Sequence, residues 1–321
     1  MDSAKRDASF RRTVAKRRIA VFLLVTFALT WGLIIVAGLA LDSFSVGELG
    51  APAVVLPITA SMFFPLVGAL AANRCCDSGG GIDLSLRPRV KGNLRTYLAA
   101  WLVPAAVASL GLLAFFAMFP DLFDPMPQSL LQSMSAAAQD AGGMAVGTET
   151  SIIAVSVIFA LTVAPFVNML PAFGEEAGWR GLLFPSLCEL MPPRAAVLAS
   201  GLVWGIWHAP IIAMGHHFGM GYAGFPWTGV LVMVATCTAM GSFLSLLRTR
   251  AGSVWPCALA HGAFNATANI GLLFCAGGQA LAGPSTYGYV AGIPLFILGV
   301  ACWLKTTGAE SQDGPAANRL T

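Results

Sequence analysis

The chain has 321 residues, 57% of them apolar and only 10% charged, with a formal net charge of +3 and a mean hydropathy of +0.76. Soluble domains carry about 25% charged residues, so the composition excludes a water-soluble globular fold. So small a net charge gives no ground for a nucleic-acid partner.

Eight stretches reach the roughly 20 apolar residues needed to cross the hydrocarbon: 19–41, 52–73, 96–119, 151–173, 195–214, 228–247, 254–275 and 287–304. Short polar or Gly/Pro-rich links separate them. This predicts an all-α, polytopic membrane protein of about eight transmembrane helices. A basic tail (1–18) would precede one helical domain (19–305), and a short tail (306–321) would follow it.

The first span comes after Lys5, Arg6, Arg11, Arg12, Lys16, Arg17 and Arg18, a cluster expected to stay in the cytoplasm. The apolar run is about 23 residues long and no clear small-residue cleavage site follows it, so it reads as an anchor and not a cleaved signal peptide. The next inside link, 74–95, carries Arg74, Arg87, Arg89, Lys91 and Arg95. It also carries Cys75 and Cys76, which sit at a membrane edge where acylation is conceivable. The other cysteines lie in or beside apolar spans and read as small apolar residues. The outside link 120–150 is long and irregular, with room for a short interfacial helix. Arg180, Arg194, Arg248, Arg250, Lys305 and Arg319 fall on the inside of the remaining crossings. Eight spans thus put all 18 Lys and Arg on the cytoplasmic side, together with both termini. The outside links carry Asp42, Glu48, Asp121, Asp124, Asp140 and Glu149.

Ionisable groups inside a bilayer cost about 2.5–3.5 kcal/mol each on insertion scales, and three segments carry them. At the inner end of the fourth span, residues 173–181 read FGEEAGWRG. Glu176 and Arg180 are spaced to pair on one helix face, which a helix-end salt bridge would explain. Glu175 points about 100° away, which leaves it unpartnered beside a second carboxylate. Pro165 and Pro171 would break this helix, and broken helices at membrane depth line cavities. In the fifth span, GLVWGIWHAP (201–210) places Trp204 one turn before His208. A lone histidine there can equally be a packing residue. His216 and His217 follow in the outside link, opposite Glu175, where they read as a solvated pair. In the seventh span, ALAHGAFNATAN (258–269) puts His261, Asn265 and Asn269 on one face; this spacing also suits interhelical hydrogen bonding.

Together the segments supply a carboxylate, two imidazoles and a carboxamide in the cytoplasmic half. A general base needs a shielded carboxylate or imidazole, and a developing oxyanion needs fixed donors. No serine or cysteine has the surroundings of a nucleophile elbow, which points to attack by water on an amide. Straight helices would put Glu175 about 8 Å, His261 about 12 Å and His208 about 20 Å from the inner edge, so tilt or a displaced helix must bring them level. No His-Glu-x-x-His motif is present, which removes an ordinary zincin.

Glu175-Glu176-x-x-x-Arg180, Trp204-x-x-x-His208 and His261-x-x-x-Asn265, in that order on separate spans, resemble the signature of the CAAX-prenyl-endopeptidase and bacteriocin-processing family of intramembrane proteases. The resemblance covers roughly 150–275, and Trp204 stands where the family often has phenylalanine. It implies that Glu175 activates water, His208 helps hold that water, Glu176 and Arg180 support, and His261 and Asn265 stabilise the oxyanion. It also implies a membrane-embedded or lipidated peptide substrate, with roles in CAAX processing, peptide maturation or bacteriocin immunity. The family was first described as metal-dependent and later as metal-free. Glu175, His208 and His261 could supply a zinc site, but the favoured expectation is no cofactor. Two other functions stay open on the residues alone: a proton-coupled transporter or channel, in which intramembrane Glu and His form a relay, and a non-catalytic immunity scaffold.

Overall fold

The computed structural model describes residues 2–40, 52–76, 81–127, 149–277 and 281–306, and among these there are helices and turns but no strand. The helices are α1 (Asp2–Ala40), α2 (Pro52–Ser61), α3 (Phe64–Cys75), α4 (Leu94–Met118), α5 (Glu149–Thr162) and α6 (Ala164–Gly178). There follow a wider π-type turn (Trp179–Leu183), α7 (Phe184–Cys188), α8 (Pro193–Trp207), α9 (Ala209–Ala213), α10 (Trp227–Ala251), α11 (Trp255–Thr267) and α12 (Ile293–Lys305). The outward faces of α1, α4 and α5 expose Leu24, Val36, Leu102, Leu113, Val155 and Ile158, an apolar surface suited to acyl chains.

Among the described residues, four helical stretches are long and apolar enough to cross a membrane: Ser9–Leu39, Val55–Cys75, Leu94–Met118 and Trp227–Ala251. A fifth is obtained if Ser151–Thr162 and Ala164–Cys188, which meet at 48°, form one bent span. The expected count of eight is therefore not confirmed. The apolar stretches 195–214, 254–275 and 287–304 form helices of 15, 13 and 13 residues. A helix of 13 residues is about 20 Å long, against about 30 Å of hydrocarbon. In α11 the shortness has a visible reason: ten of its residues, from Pro256 to Thr267, are buried among other helices, so it has little lipid face to match to bilayer thickness.

A further expectation changes. The break falls between α5 and α6, with Pro165 in the first turn of α6, whereas Pro171 lies inside a continuous α6. Proline lacks the N–H a helix interior uses, so the first turn is where it is tolerated best. The basic N-terminal segment is helical and continuous with α1. Arg18 is buried, and its guanidinium donates to Ser186 Oγ at 3.1 Å and Glu189 Oε1 at 2.8 Å, which ties α1 to the end of α7. Of the long link 120–150, the described part forms a short 3-10 turn (Pro120–Leu122); residues 128–148 lie outside the described residues, as do Asp42, Glu48 and the tail beyond Thr306.

Helices that carry the polar segments approach closely because glycine stands at the crossings. Lipid tails are as apolar as leucine, so helix association in membranes relies on close packing of small residues. Gly174 faces the link between α2 and α3, where a Cβ would lie 2.6 Å from the Met62 carbonyl oxygen, and Gly178 faces α3, where a Cβ would lie 2.5 Å from Pro65 Cβ. Gly201 on α8 faces Thr238 of α10, where a Cβ would meet its Cα at 2.5 Å. Gly262 on α11 faces α6, where a Cβ would lie 2.6 Å from the Pro165 carbonyl oxygen and 2.5 Å from the Met169 nitrogen. These contacts set the distances between α6, α8 and α11, on which the polar side chains sit.

Gly262→Ala is expected to force α6 and α11 apart and to destabilise the protein by about 1–3 kcal/mol. Gly32→Ala, where a Cβ meets nothing within 4 Å, is expected to change stability by less than about 1 kcal/mol, in the stabilising direction. Thermal unfolding of both variants in detergent checks the contrast.

Candidate active site

Glu175 and Glu176 are consecutive in the last turn of α6, so their side chains leave the helix about 100° apart. Both are buried, Glu175 to 2% exposure and Glu176 to 0%, and each meets its own set of donors. Glu175 Oε2 accepts from the Trp204 indole N–H at 2.7 Å and from the Trp179 indole N–H at 3.2 Å. The sequence reading left Glu175 without a partner; the structure gives it two. Trp179 is one turn after Glu175 on the same face and Trp204 comes from α8. Neither donor is charged, so Glu175 is held in place with no cation bonded to it.

Glu176 takes the cations. Its Oε1 accepts from Arg180 at 3.0 Å, the pairing that the spacing predicts, and lies 2.9 Å from His261 Nδ1 on α11. Arg180 is itself buried, with its guanidinium carbon 4.3 Å from the centre of the Trp204 ring. Cations placed over indole in this way gain about 2 kcal/mol or more when desolvated. Gly241 of α10 makes the room: a Cβ there would lie 2.8 Å from the guanidinium. With Nδ1 turned to Glu176, the other ring nitrogen of His261 is the one left for the cavity.

His208 caps the C-terminal end of α8, at the junction with α9. Its Nδ1 lies 2.8 Å from the Trp204 carbonyl oxygen, which as an acceptor requires the proton on that nitrogen and leaves Nε2 bare. Trp204 stands between the two imidazoles, its ring 6.0 Å from that of His208 and 5.2 Å from that of His261. The junction is anchored from outside by α1: the Trp207 indole donates to Thr30 Oγ1 at 2.9 Å, and the Trp31 indole donates to the Trp207 carbonyl at 3.2 Å.

Glu175, His208, His261 and Asn265 all line one cavity of about 210 Å³. Straight spans would have placed them at unequal depths. The structure nevertheless brings them to one cavity, with α8 ending at Trp207 and α6 entering through a break, so neither is a straight crossing. Supporting Trp204 also lines the cavity, whereas Glu176 and Arg180 sit behind it. Asn265, half-buried, accepts at Oδ1 from the Tyr287 hydroxyl at 2.6 Å.

The expectation for His216 and His217 is corrected. They are not on the face opposite Glu175 but line the same cavity. The loop after α9 folds inward so that both are half-buried. The His217 ring lies 5.9 Å from His208 and 5.1 Å from Tyr287, with its own backbone at φ 71°. Cys237 of α10 also reaches the cavity, its sulfur 3.9 Å from His208 Nδ1. Among the described residues, no three His, Cys, Asp or Glu side chains form a group that could hold a metal ion.

Trp179, Cys237 and Tyr287 were not singled out from the sequence. Trp179 had a usable signal, since it stands four residues after Glu175. Tyr287 and Cys237 had none, because only the packing of α10 and the 281–292 segment brings them to the cavity.

Residues 150–267 match the family described as type II CAAX prenyl endopeptidase, Rce1-like. No curated protein matches the chain. The matched range contains every polar residue that the sequence singled out from the three segments except Asn269, and it ends before Tyr287.

Breaking one arm of the buried ion pair leaves an uncompensated charge, which costs about 3–5 kcal/mol. Arg180→Met is therefore expected to lower the unfolding midpoint sharply. Adding Glu176→Gln is expected to recover part of the loss. A double-mutant cycle on thermal unfolding measures the recovery.

Proposed function

We propose that this chain, whose residues 150–267 match the type II CAAX prenyl endopeptidase, Rce1-like family, is an intramembrane protease that hydrolyses a peptide bond of a prenylated or otherwise membrane-anchored peptide through water activated by Glu175. One observation carries the reading: a carboxylate, two imidazoles and a carboxamide from α6, α8 and α11 face a single cavity inside an apolar helix bundle. The clustering of Lys and Arg in the sequence supports a cytoplasmic opening for this cavity.

The scissile carbonyl sits against His261 and Asn265, and water lies between it and Glu175. Glu175 removes a proton as the water oxygen bonds to the carbonyl carbon, and bare Nε2 of His208 holds the water's second hydrogen. Negative charge collects on the former carbonyl oxygen. His261 meets it as an imidazolium, with Nδ1–H given to Glu176 and Nε2–H turned to the oxyanion, and the amide N–H of Asn265 is the second donor, both prepositioned and shielded from bulk water. When the carbon–nitrogen bond breaks, Glu175 returns its proton to the leaving amine. The indole N–H groups of Trp179 and Trp204 keep Glu175 aimed through both steps. Glu176 holds Nδ1 of His261, which fixes that ring's orientation. The sequence of steps draws on these side chains alone.

Glu175→Gln keeps the shape but cannot take a proton. Its kcat on a prenylated peptide is expected to fall by about 10²–10⁴-fold, with the peptide still bound. His208→Ala and Asn265→Ala are each expected to lose about 10²–10³-fold. Cleavage by Glu175→Gln at the wild-type rate would end the proposal. A chelator titration on purified, active protein is expected to leave the rate unchanged, and loss that zinc restores would replace carboxylate activation by metal activation. Lipidated and unlipidated peptides of the same sequence, compared in liposomes, test the substrate class; equal rates would remove the lipid requirement.

A further inference from the structure

We infer that Tyr287 is a positioning residue for Asn265, setting which end of its carboxamide faces the reacting carbonyl. The inference rests on the oxyanion role proposed above for Asn265.

The two ends of a carboxamide have the same shape and opposite polarity. With its N–H groups toward a developing oxyanion Asn265 stabilises the charge; turned over, it presents a carbonyl dipole that repels it. The difference therefore reverses the sign of its contribution. Tyr287 decides between the two. Its hydroxyl carries one hydrogen, which it donates to Asn265 Oδ1 at 2.6 Å. In the flipped amide that hydrogen would lose its acceptor, and a buried donor left unpaired costs about 1–3 kcal/mol. With Oδ1 held by the phenol, the N–H groups are the end left for the cavity, which both residues line.

Tyr287 is fixed well enough to impose this. The residue is 6% exposed. Its carbonyl accepts from the Thr236 hydroxyl of α10 at 3.1 Å, and its ring meets the edge of His217 at 5.1 Å and 90°. The preceding residue, Thr286, donates its N–H to the Ala268 carbonyl at 2.9 Å. Ala268 lies three residues past Asn265, so the same stretch of chain carries the amide and tethers the phenol. Tyr287 itself lies outside the family-matched range.

Tyr287→Phe removes one oxygen and keeps the ring. On a prenylated peptide, kcat is expected to fall about tenfold or more with KM within about twofold, while the unfolding midpoint stays within a few degrees. In an Asn265→Ala background the same substitution is expected to cost nothing further, because there is no amide left to orient. Wild-type kcat for Tyr287→Phe, or an equal loss in both backgrounds, overturns the inference. Glu175→Gln run alongside separates the two levels. If it is dead while Tyr287→Phe is normal, only the positioning role fails; if it is fully active, the hydrolytic reading fails. A readout independent of turnover is the side-chain amide resonance of ¹⁵N-labelled Asn265, assigned by its loss in Asn265→Ala. One sharp pair in the wild type that doubles or broadens in Tyr287→Phe supports the inference, and an unchanged pair overturns it.

Discussion

A carboxylate buried among apolar helices needs donors, and two adjacent ones need two separate sets. Glu175 and Glu176 meet this constraint through the angle between consecutive helical residues. One side chain turns to the indoles of Trp179 and Trp204, the other to Arg180 and His261. Had one cation served both, Glu175 would be held as an ion pair and would make a poor proton acceptor. Since Arg180 is consumed by Glu176 and by the face of Trp204, the carboxylate at the cavity keeps only neutral donors. The pair is thus divided: one glutamate faces the cavity held by indole N–H groups, while the other carries the electrostatics that hold α6 and α11 together.

The helices around this pair are arranged to serve it at short range. Gly174, Gly178, Gly201 and Gly262 allow α6, α8 and α11 to meet their neighbours without intervening side chains. Hydrogen bonds of 2.7–2.9 Å between different helices, as between Trp204 and Glu175 or His261 and Glu176, leave little tolerance for wider spacing. Further out, α1 is a brace. Its Thr30 and Trp31 grip the end of α8 next to His208, and its Arg18 grips the end of α7. Among the described residues, the first helix contributes no group to the cavity but ties down two segments beside it.

Much of the candidate site could be read from residue types and spacing. Unpaired polar groups in apolar runs are expensive, so Glu175, Glu176, His208, His261 and Asn265 stand out without any structure. The pairing of Glu176 with Arg180 follows from helical periodicity. The partners of Glu175 did not follow, since an indole N–H from a different helix leaves no periodic trace. The span count was also less legible. Hydropathy records that 195–214, 254–275 and 287–304 avoid water, but avoidance of water is satisfied by burial in protein as well as in lipid. The same limit explains His216 and His217. A loop assigned by counting crossings was placed opposite Glu175, whereas the backbone turns in after α9 and returns both rings to the cavity.

What the sequence determined by itself is chemical: an apolar helical protein, the identity of its few intramembrane polar groups, and their order along the chain. These are consequences of transfer free energies and of the 3.6-residue helical repeat, which act locally. Only the tertiary structure decided which polar group faces which, where the helices break, and that Tyr287 and His217 join a cavity begun by Glu175. Those outcomes depend on contacts between residues tens to more than a hundred positions apart, set by close helix packing, and no local pattern encodes them.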